Sequence, residues 1–90
     1  MRQLEIIHLR SSGETLESLG DQIRESIWAM GEQAEVVTLF RRNGLETDMA
    51  IHIHHLEAPE KEGPSRLGLQ LVSSLATFGL VRHTLWEELS

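Results

Sequence analysis

The sequence predicts an α+β domain in which two helices are placed among four strands in the order β-α-β-β-α-β. Four short segments are rich in Ile, Leu and Val with polar residues between them, the pattern of strands. Two others carry apolar residues at steps of three and four, the spacing of a helix face. Asn43-Gly44 separates two of the strand segments, and this pair is a strong hairpin signal because both residues tolerate positive φ.

The length and composition limit the classes of protein that this chain resembles. Its 90 residues fit one domain, which we expect to span 1–90. A domain of this size buries a limited share of its surface, so association with a second copy is expected. The net charge of -6, with no run of basic residues, argues against nucleic acid as a partner.

The residue content also bears on compartment and chemistry. The chain has no cysteine, which excludes disulfides, thiolate metal sites and cysteine nucleophiles and suits a reducing compartment. No apolar run reaches membrane-spanning length, and the first residues form no apolar signal core. We therefore expect a cytoplasmic protein with no membrane partner.

The first strand and first helix account for the N-terminal third of the chain. Residues 3–10 read as a strand rich in Ile and Leu. Ser11 and Glu14 have capping-box spacing, which predicts that a helix begins just after them and ends near Gly31. The apolar stripe of this helix consists of Leu16, Leu19, Ile23 and Ile27.

A β-hairpin follows, with strands predicted over 34–42 and about 46–56. A two-residue loop at Asn43-Gly44 places Arg41 opposite Glu46, a favourable pair of opposite charges. This register puts six residues on one face, directed at the helices, and it predicts their common burial. They are Val36, Thr38, Phe40, Met49, Ile51 and Ile53.

The second helix and last strand complete the chain. Residues 57–64 read as a polar loop containing two prolines and a glycine. Ser65 is the expected N-cap of a helix over 66–78, which Gly79 ends. Residues 80–89 then read as the fourth strand.

This order of elements, with right-handed crossovers, gives the split βαβ or ferredoxin-like arrangement. Its sheet has four antiparallel strands in the order 4-1-3-2, with both helices on one face. The opposite face, called here the open face, has no helix to cover it.

By its element order and length, the whole chain resembles the ferredoxin-like dimeric α/β-barrel group. That group includes cofactor-free monooxygenases of the antibiotic-biosynthesis type, in which a substrate lies between the helices and the sheet. The resemblance implies a dimer whose two sheets pack by their open faces. It implies no particular catalytic residue, because none of this chain's residues can be matched to the group's site.

The stretch IHIHH, residues 51–55, carries the candidate chemistry. Side chains alternate along a strand, so if Ile51 and Ile53 face the helices, His52 and His54 lie on the open face. The predicted hairpin register places Glu35 opposite His52 on that face.

Two further histidines extend this group if the outer strands face as we expect. With Ile7 and Trp86 directed at the helices, His8 and His83 join the open face. Four histidines and one glutamate would then form a band across the sheet. His55 falls on the other side, at the strand end, and is interpreted as structural or solvent-facing.

Three interpretations of the band remain open. His52 and His54 with a third donor would make a catalytic-type metal site suited to zinc, iron, nickel or copper. His52 oriented by Glu35 would be a general base. Neighbouring histidines also form polar parts of interfaces, and we favour this interpretation because the His-x-His spacing is of low specificity.

The expected function follows from the open face and the fold. Its apolar residues would make an exposed patch on a monomer, which favours a homodimer through this face. The residues expected there are Leu4, Ile6, Val37, Leu39, Val81 and Leu85. We expect a small soluble ferredoxin-like domain that binds a small ligand and uses no cofactor. The alternatives are a cofactor-free monooxygenase-like enzyme with a cavity between helices and sheet, and a metal-binding protein using the histidines.

Overall fold

In the part of the chain that the structure describes, four strands and two helices follow one another in the order predicted from the sequence. The structure is a computed structural model, and it describes residues 3–11, 16–30, 35–44, 47–55 and 63–89. The elements are β1 (Gln3–Ser11), α1 (Leu16–Met30), β2 (Glu35–Arg41), β3 (Asp48–His55), α2 (Arg66–Leu75) and β4 (Gly79–Glu87). The predicted stop of α1 at Gly31 lies outside the described residues.

The sheet has the strand order β2-β3-β1-β4, and each pair of neighbours is antiparallel. This confirms the predicted order and the ferredoxin-like α+β fold class. Both helices pack on one face, because buried residues of α1 and α2 form one cluster with residues of β1 and β3. The cluster consists of Ile7, Leu9, Leu19, Ile23, Met49, Ile51, Ile53, Leu67, Leu71 and Leu75. Within the described residues, neither helix has the length and apolarity needed to cross a membrane.

Helix α2 begins as the sequence predicts and ends earlier. The side chain of Ser65 accepts a hydrogen bond from the backbone N–H of Gly68 at 2.9 Å, which is the expected N-cap. The helix ends at Leu75, and a turn that includes a bond from Phe78 N to Leu75 O at 2.9 Å follows. Gly79 is the first residue of β4, where a Cβ would overlap the backbone carbonyl of Arg10. Gly79 therefore allows β4 to approach β1 closely, in addition to following the end of the helix.

The predicted register of the hairpin is wrong by three residues. Arg41 pairs with Met49 and Glu35 with His55, and the Arg42 N–H bonds to the Asp48 carbonyl at 3.0 Å. The connection is therefore five residues long instead of two. A two-residue type I′ turn needs positive φ at both central residues. Gly44 has a φ of 82°, whereas no non-glycine residue among those described has a positive φ.

An odd shift in register turns the whole strand over, because side chains alternate between faces. Val37 and Leu39 of β2 pack against the core, and Val36 and Phe40 lie on the open face. The apolar pattern could not decide between the two registers, since β2 has apolar residues in both phases.

The expected facing of β4 is also wrong. His83 pairs with Ile7, so it is on the helix side, and Trp86 pairs with Leu4 on the open face. Of the six apolar residues expected on the open face, two are there and four are on the helix side. Those four are Val37, Leu39, Val81 and Leu85. Both faces of β4 carry apolar side chains, which is why alternation alone gave no orientation.

Candidate functional site

A glutamate lies among the apolar side chains on the helix side of β1. Glu5 alternates with Ile7 and Leu9, and 2% of its surface is exposed, compared with none for those two residues. Burial of a carboxylate is costly unless charged or hydrogen-bonding partners replace the water it loses. The surroundings of Glu5 must therefore supply such partners.

Three elements donate to the two oxygens of Glu5. His55 Nε2, at the end of β3, lies 2.6 Å from Oε1, and His83 Nε2, on β4, lies 2.8 Å from Oε2. The backbone N–H of Ser65, at the start of α2, donates to Oε1 at 2.9 Å. In the sheet, Glu5 stands opposite Ile53 and Leu85, so both histidines are its diagonal neighbours. Glu5, His55, His83 and Ser65 are called the Glu5 cluster below.

These bonds keep the carboxylate ionised. Burial alone would raise the pKa of Glu5, but the hydrogen bonds from Ser65, His55 and His83 outweigh it and hold the pKa below its ordinary value of 4.5. Since an ionised carboxylate only accepts hydrogen bonds, each histidine nitrogen that contacts it carries a hydrogen and donates. The cluster thus fixes the orientation of both imidazole rings.

The start of α2 is built around the same carboxylate. Helix α2 has no acidic residue in its own first turn, and Glu5 supplies an anion beside its N-terminus, where the helix dipole favours negative charge. Gly68 makes this approach possible, because a Cβ at that position would overlap Glu5 Oε2 and crowd Ser65 Oγ.

A cavity of about 380 Å³ lies at the same end of the sheet as the Glu5 cluster. It is called the end cavity here, and it is lined by Gln3, Leu4, His54, His55, Trp86, Glu87 and Glu88. Its volume falls in the range of small-molecule sites, about 300–1,000 Å³. His55 belongs to both features: one ring nitrogen contacts Glu5, and the residue forms part of the cavity wall.

A second cavity lies between helix and sheet at the other end of the strands. It has a volume of about 470 Å³ and its lining residues come from α1, β2 and β3. They are Gly20, Asp21, Arg24, Leu39, Phe40, Arg41 and Met49. Its titratable side chains are one aspartate and two arginines, and its described lining includes no histidine, whereas two histidines line the end cavity.

His52 and His54 lie side by side on the open face, as predicted. Their ring centroids are 6.2 Å apart, and the ring of Phe40 lies 4.6 Å from that of His52. Burial, together with the charge of a protonated His54, lowers the pKa of His52. At neutral pH this imidazole is uncharged.

His8 is on the open face too, but its partner is a carboxylate of β3. His8 Nε2 lies 3.6 Å from Asp48 Oδ2, and Asp48 also contacts Arg42 at 3.2 Å and Arg10 at 3.4 Å. Burial would raise the pKa of Asp48, but hydrogen bonds and attraction from Arg42 and Arg10 lower it below its ordinary value of 3.8.

The structure does not assemble the predicted band of four histidines and a glutamate. His83 is across the sheet in the Glu5 cluster, and Glu35 pairs with His55 instead of His52. Within the described residues, no group of three or more histidine, aspartate or glutamate side chains is arranged to hold a metal ion. A ligand role for His52, His54 and His8 stays a prediction.

Sequence reasoning missed the two residues at the centre of the site. Glu5 is in phase with the apolar residues Ile7 and Leu9, and a carboxylate in a core-facing position demands partners. This phase was the feature of the sequence that could have identified Glu5 as a buried, partnered carboxylate. His55 is on the helix side of β3 as predicted and is buried there, but nothing in the sequence indicated its contact with Glu5.

Comparisons with known proteins extend the description of the fold. No protein-family model and no curated protein matches the sequence. Among solved structures, SnoaB, a cofactor-independent oxygenase from Streptomyces nogalater solved as a mutant, has a TM-score of 0.69 and 12% identity, covering 99% of this chain and 94% of that one. Rv0793 from Mycobacterium tuberculosis has a TM-score of 0.70 and 11% identity, covering 100% of this chain and 97% of that one. The chain has the fold of both proteins. Its sequence shares little with either.

Proposed function

We propose that this protein binds a small organic ligand in the end cavity and acts as a single-domain cytoplasmic homodimer. One observation carries the ligand proposal: the cavity of about 380 Å³ has in its wall a histidine that a buried carboxylate holds at 2.6 Å. A fixed polar group in a partly apolar cavity is the usual composition of a ligand site.

The remaining wall supports the same proposal. Leu4 and Trp86 provide apolar and aromatic surface, and Gln3 and His54 provide groups that form hydrogen bonds. Because the bonds to Glu5 fix the ring of His55 before a ligand arrives, little conformational entropy is lost at that residue on binding.

The open face supports the dimer. Val36, Phe40 and Leu80 expose 49%, 47% and 76% of their surface on this side of the sheet. Exposed apolar patches on small proteins mark interaction sites, and a second copy covering this face would remove them from water. The cysteine-free composition is compatible with the reducing cytoplasm.

The ligand proposal is tested by NMR titration of the labelled protein with neutral, cationic and anionic compounds of one or two rings. We expect some of them to shift the Trp86 indole N–H resonance and the resonances of other cavity residues. Leu4→Phe, which fills the cavity, should abolish these shifts. Ile6→Phe is the matched control, since Ile6 is on the same face of β1 but does not line the cavity. Shifts confined to residues outside the cavity would contradict the proposal.

A cofactor-independent oxygenase is the second candidate function. It is favoured by the shared fold with SnoaB and by the carboxylate-held histidine beside a cavity. Oxygenation without a cofactor needs a substrate that becomes electron-rich on losing a proton and then reacts with dioxygen directly. A histidine oriented by a carboxylate is suited to removing that proton.

Oxygen uptake with a panel of electron-rich phenols tests this candidate. We expect uptake above the uncatalysed rate, and a loss of about a hundredfold or more in His55→Gln if the histidine acts as the base. His52→Gln, a change on the open face outside the cavity, is the control. Equal rates in the wild type, in His55→Gln and in the absence of protein would contradict it.

A further inference from the structure

We propose that the end cavity selects an organic cation, an amine or quaternary ammonium group carried on an apolar body. This inference rests on the proposed function, because it names the chemical class of the ligand held in the same cavity. It is drawn from the charge of the wall, from the placement of one tryptophan and from the distribution of cations over the sheet.

The described wall of the end cavity carries negative charge. Glu87 and Glu88 line it, and the described lining residues include no lysine or arginine. Within the described part of the chain, neither carboxylate forms an ion pair or a hydrogen bond with another side chain. The buried carboxylate of Glu5 lies directly behind His55 and adds a third negative charge at this end. Charges of one sign around a concave site focus their field on it and attract the opposite charge.

Trp86 supplies an aromatic surface beside these carboxylates. Its indole Nε1 donates to Thr84 Oγ1 at 2.9 Å, so one edge of the ring is held by the protein. Leu4, its partner in the sheet register, also lines the cavity and extends the apolar surface. The face of a tryptophan attracts ammonium groups more strongly than other aromatic rings do. A cation with an apolar body therefore matches both parts of the wall.

The described arginines on the open face are at the opposite end of the sheet. Arg10 and Arg42 contact Asp48, where β1 ends and β3 begins, and Arg82 pairs with His8. Gln3 and Glu87, by contrast, are paired at the cavity end. Among the described residues, the arginines of the open face are thus at one end of the sheet and the two glutamates of the cavity wall at the other, so an anionic ligand would meet no lysine or arginine in the described lining of the end cavity.

The experiment compares three probes that share one benzene ring: benzyltrimethylammonium, benzyl alcohol and phenylacetate. Each is titrated into the 90-residue protein at about pH 8 and low salt, and binding is followed by the Trp86 indole N–H resonance. We expect the cation to bind about tenfold or more tightly than either other probe. Its affinity should fall as salt is raised to about 0.15 M, because screening weakens attraction between exposed charges.

Variants separate charge from shape. Glu87→Gln/Glu88→Gln should lower the affinity for the cation about three- to tenfold and leave the affinity for benzyl alcohol unchanged. Asp21→Asn/Glu25→Gln changes the net charge equally on the exposed side of α1 and should leave both affinities unchanged. Trp86→Leu should weaken binding of the cation more than binding of the alcohol. Because this variant lacks the indole signal, its binding is measured by calorimetry.

The outcomes distinguish this inference from the proposal it rests on. Equal binding of the three probes in the cavity, or preference for phenylacetate, would overturn the cation inference and leave the ligand cavity standing. If none of the three probes binds at millimolar concentration, the cation inference is overturned. The NMR titration with neutral, cationic and anionic compounds of one or two rings then tests whether the cavity binds any ligand. An equal effect of the two double variants would show that only net charge matters and would also overturn it.

Discussion

Glu5 and His55 are 50 positions apart in the sequence and meet at 2.6 Å, between Oε1 and Nε2, in the interior of the protein. The same oxygen accepts the backbone N–H of Ser65, so one carboxylate joins the start of β1, the end of β3 and the start of α2. The contact thus has two consequences. It stabilises the end of the fold, and it fixes the histidine that forms part of the cavity wall.

Replacement of Glu5 tests the first consequence. In Glu5→Gln, the amide would place an NH₂ group against neighbours that already donate hydrogen bonds, and it would remove the charge that His55 and His83 contact. We expect the free energy of unfolding to fall by about 2–4 kcal/mol, the range for breaking a buried hydrogen-bonded charge cluster. Urea denaturation followed by circular dichroism measures this. Asp21→Asn, on the exposed side of α1, should change stability by no more than about 0.5 kcal/mol. Equal effects of the two variants would show that the cluster does not stabilise the fold.

The lowered pKa of Glu5 predicts a loss of stability in acid. Because the pKa is lower in the folded protein than its ordinary value of 4.5, the unfolded chain takes up a proton first as the pH falls. The stabilisation is complete above about pH 4.5 and is lost as the pH falls through the folded-state value. Asp48, whose pKa is also lowered, adds to this loss from its ordinary value of 3.8 downward. The free energy of unfolding, measured from neutral pH to about pH 3, should fall less steeply in Glu5→Gln than in the wild type. Parallel curves would contradict the prediction.

Gly68 and Gly20 are both buried helical glycines, and they should respond oppositely to alanine. In α2, a Cβ at Gly68 would overlap the Glu5 carboxylate, so Gly68→Ala should destabilise the protein by at least about 1 kcal/mol despite the higher helix propensity of alanine. In α1, a Cβ at Gly20 would have Arg24 Nη1 as its nearest neighbour at 3.7 Å, an ordinary contact. Gly20→Ala should therefore stabilise by about 0.5–1 kcal/mol. Melting temperatures of the two variants measure the difference. A Gly68→Ala protein as stable as Gly20→Ala would show that the carboxylate has room to move.

Local patterns predicted most of the fold because they are set by neighbouring residues. The capping side chain of Ser65 and the apolar spacing in both helices depend only on residues a few positions apart. The order of elements then leaves few allowed topologies, and the strand order follows. The hairpin register failed because it depends on the φ of Asn43 and on which phase of β2 is buried, and neither is determined locally.

The candidate site depended on that register and on the facing of β4, so it was predicted only in part. His52 and His54 were placed correctly, since Ile51 and Ile53 fix the orientation of β3. His83 was placed on the wrong face, because β4 has apolar residues on both sides and its orientation could not be read from the sequence. The end cavity combines residues from the ends of three strands with positions on both faces of the sheet, and no sequence spacing encodes such a combination.

Acid should weaken the proposed dimer. The open face carries His8, His52 and His54, and the positive groups around them include Arg10 and Arg42, which share Asp48. Protonation of His52 in acid would add positive charge to an interface that already contains arginines, so the dissociation constant should rise between about pH 8 and pH 5.5. Because burial lowers the pKa of His52, this residue should be neutral in the dimer at neutral pH.

Sedimentation equilibrium at the two pH values measures the dimer affinity. His52→Gln/His54→Gln should form a dimer with a smaller dependence on pH, and His83→Gln should retain the dependence because His83 is on the other face. An affinity that is the same at both pH values in the wild type would contradict the prediction.

Zinc should not bind tightly to the His-x-His pair of one protomer. Sites of the catalytic type need three protein ligands, and the pair provides two. The lateral neighbours of these two residues in the sheet are Ile6, Thr38, Leu4 and Val36. Three of these side chains are apolar and the fourth is a hydroxyl, which is a poor ligand for this metal. We therefore expect calorimetric titration with zinc or nickel to show no saturable binding tighter than about 1 µM, with the same result in His52→Ala/His54→Ala. Stoichiometric binding in the wild type that the double variant loses would show that a third donor comes from elsewhere. Light scattering during the titration would then identify its source, because a ligand from a second copy makes dimer formation depend on the metal.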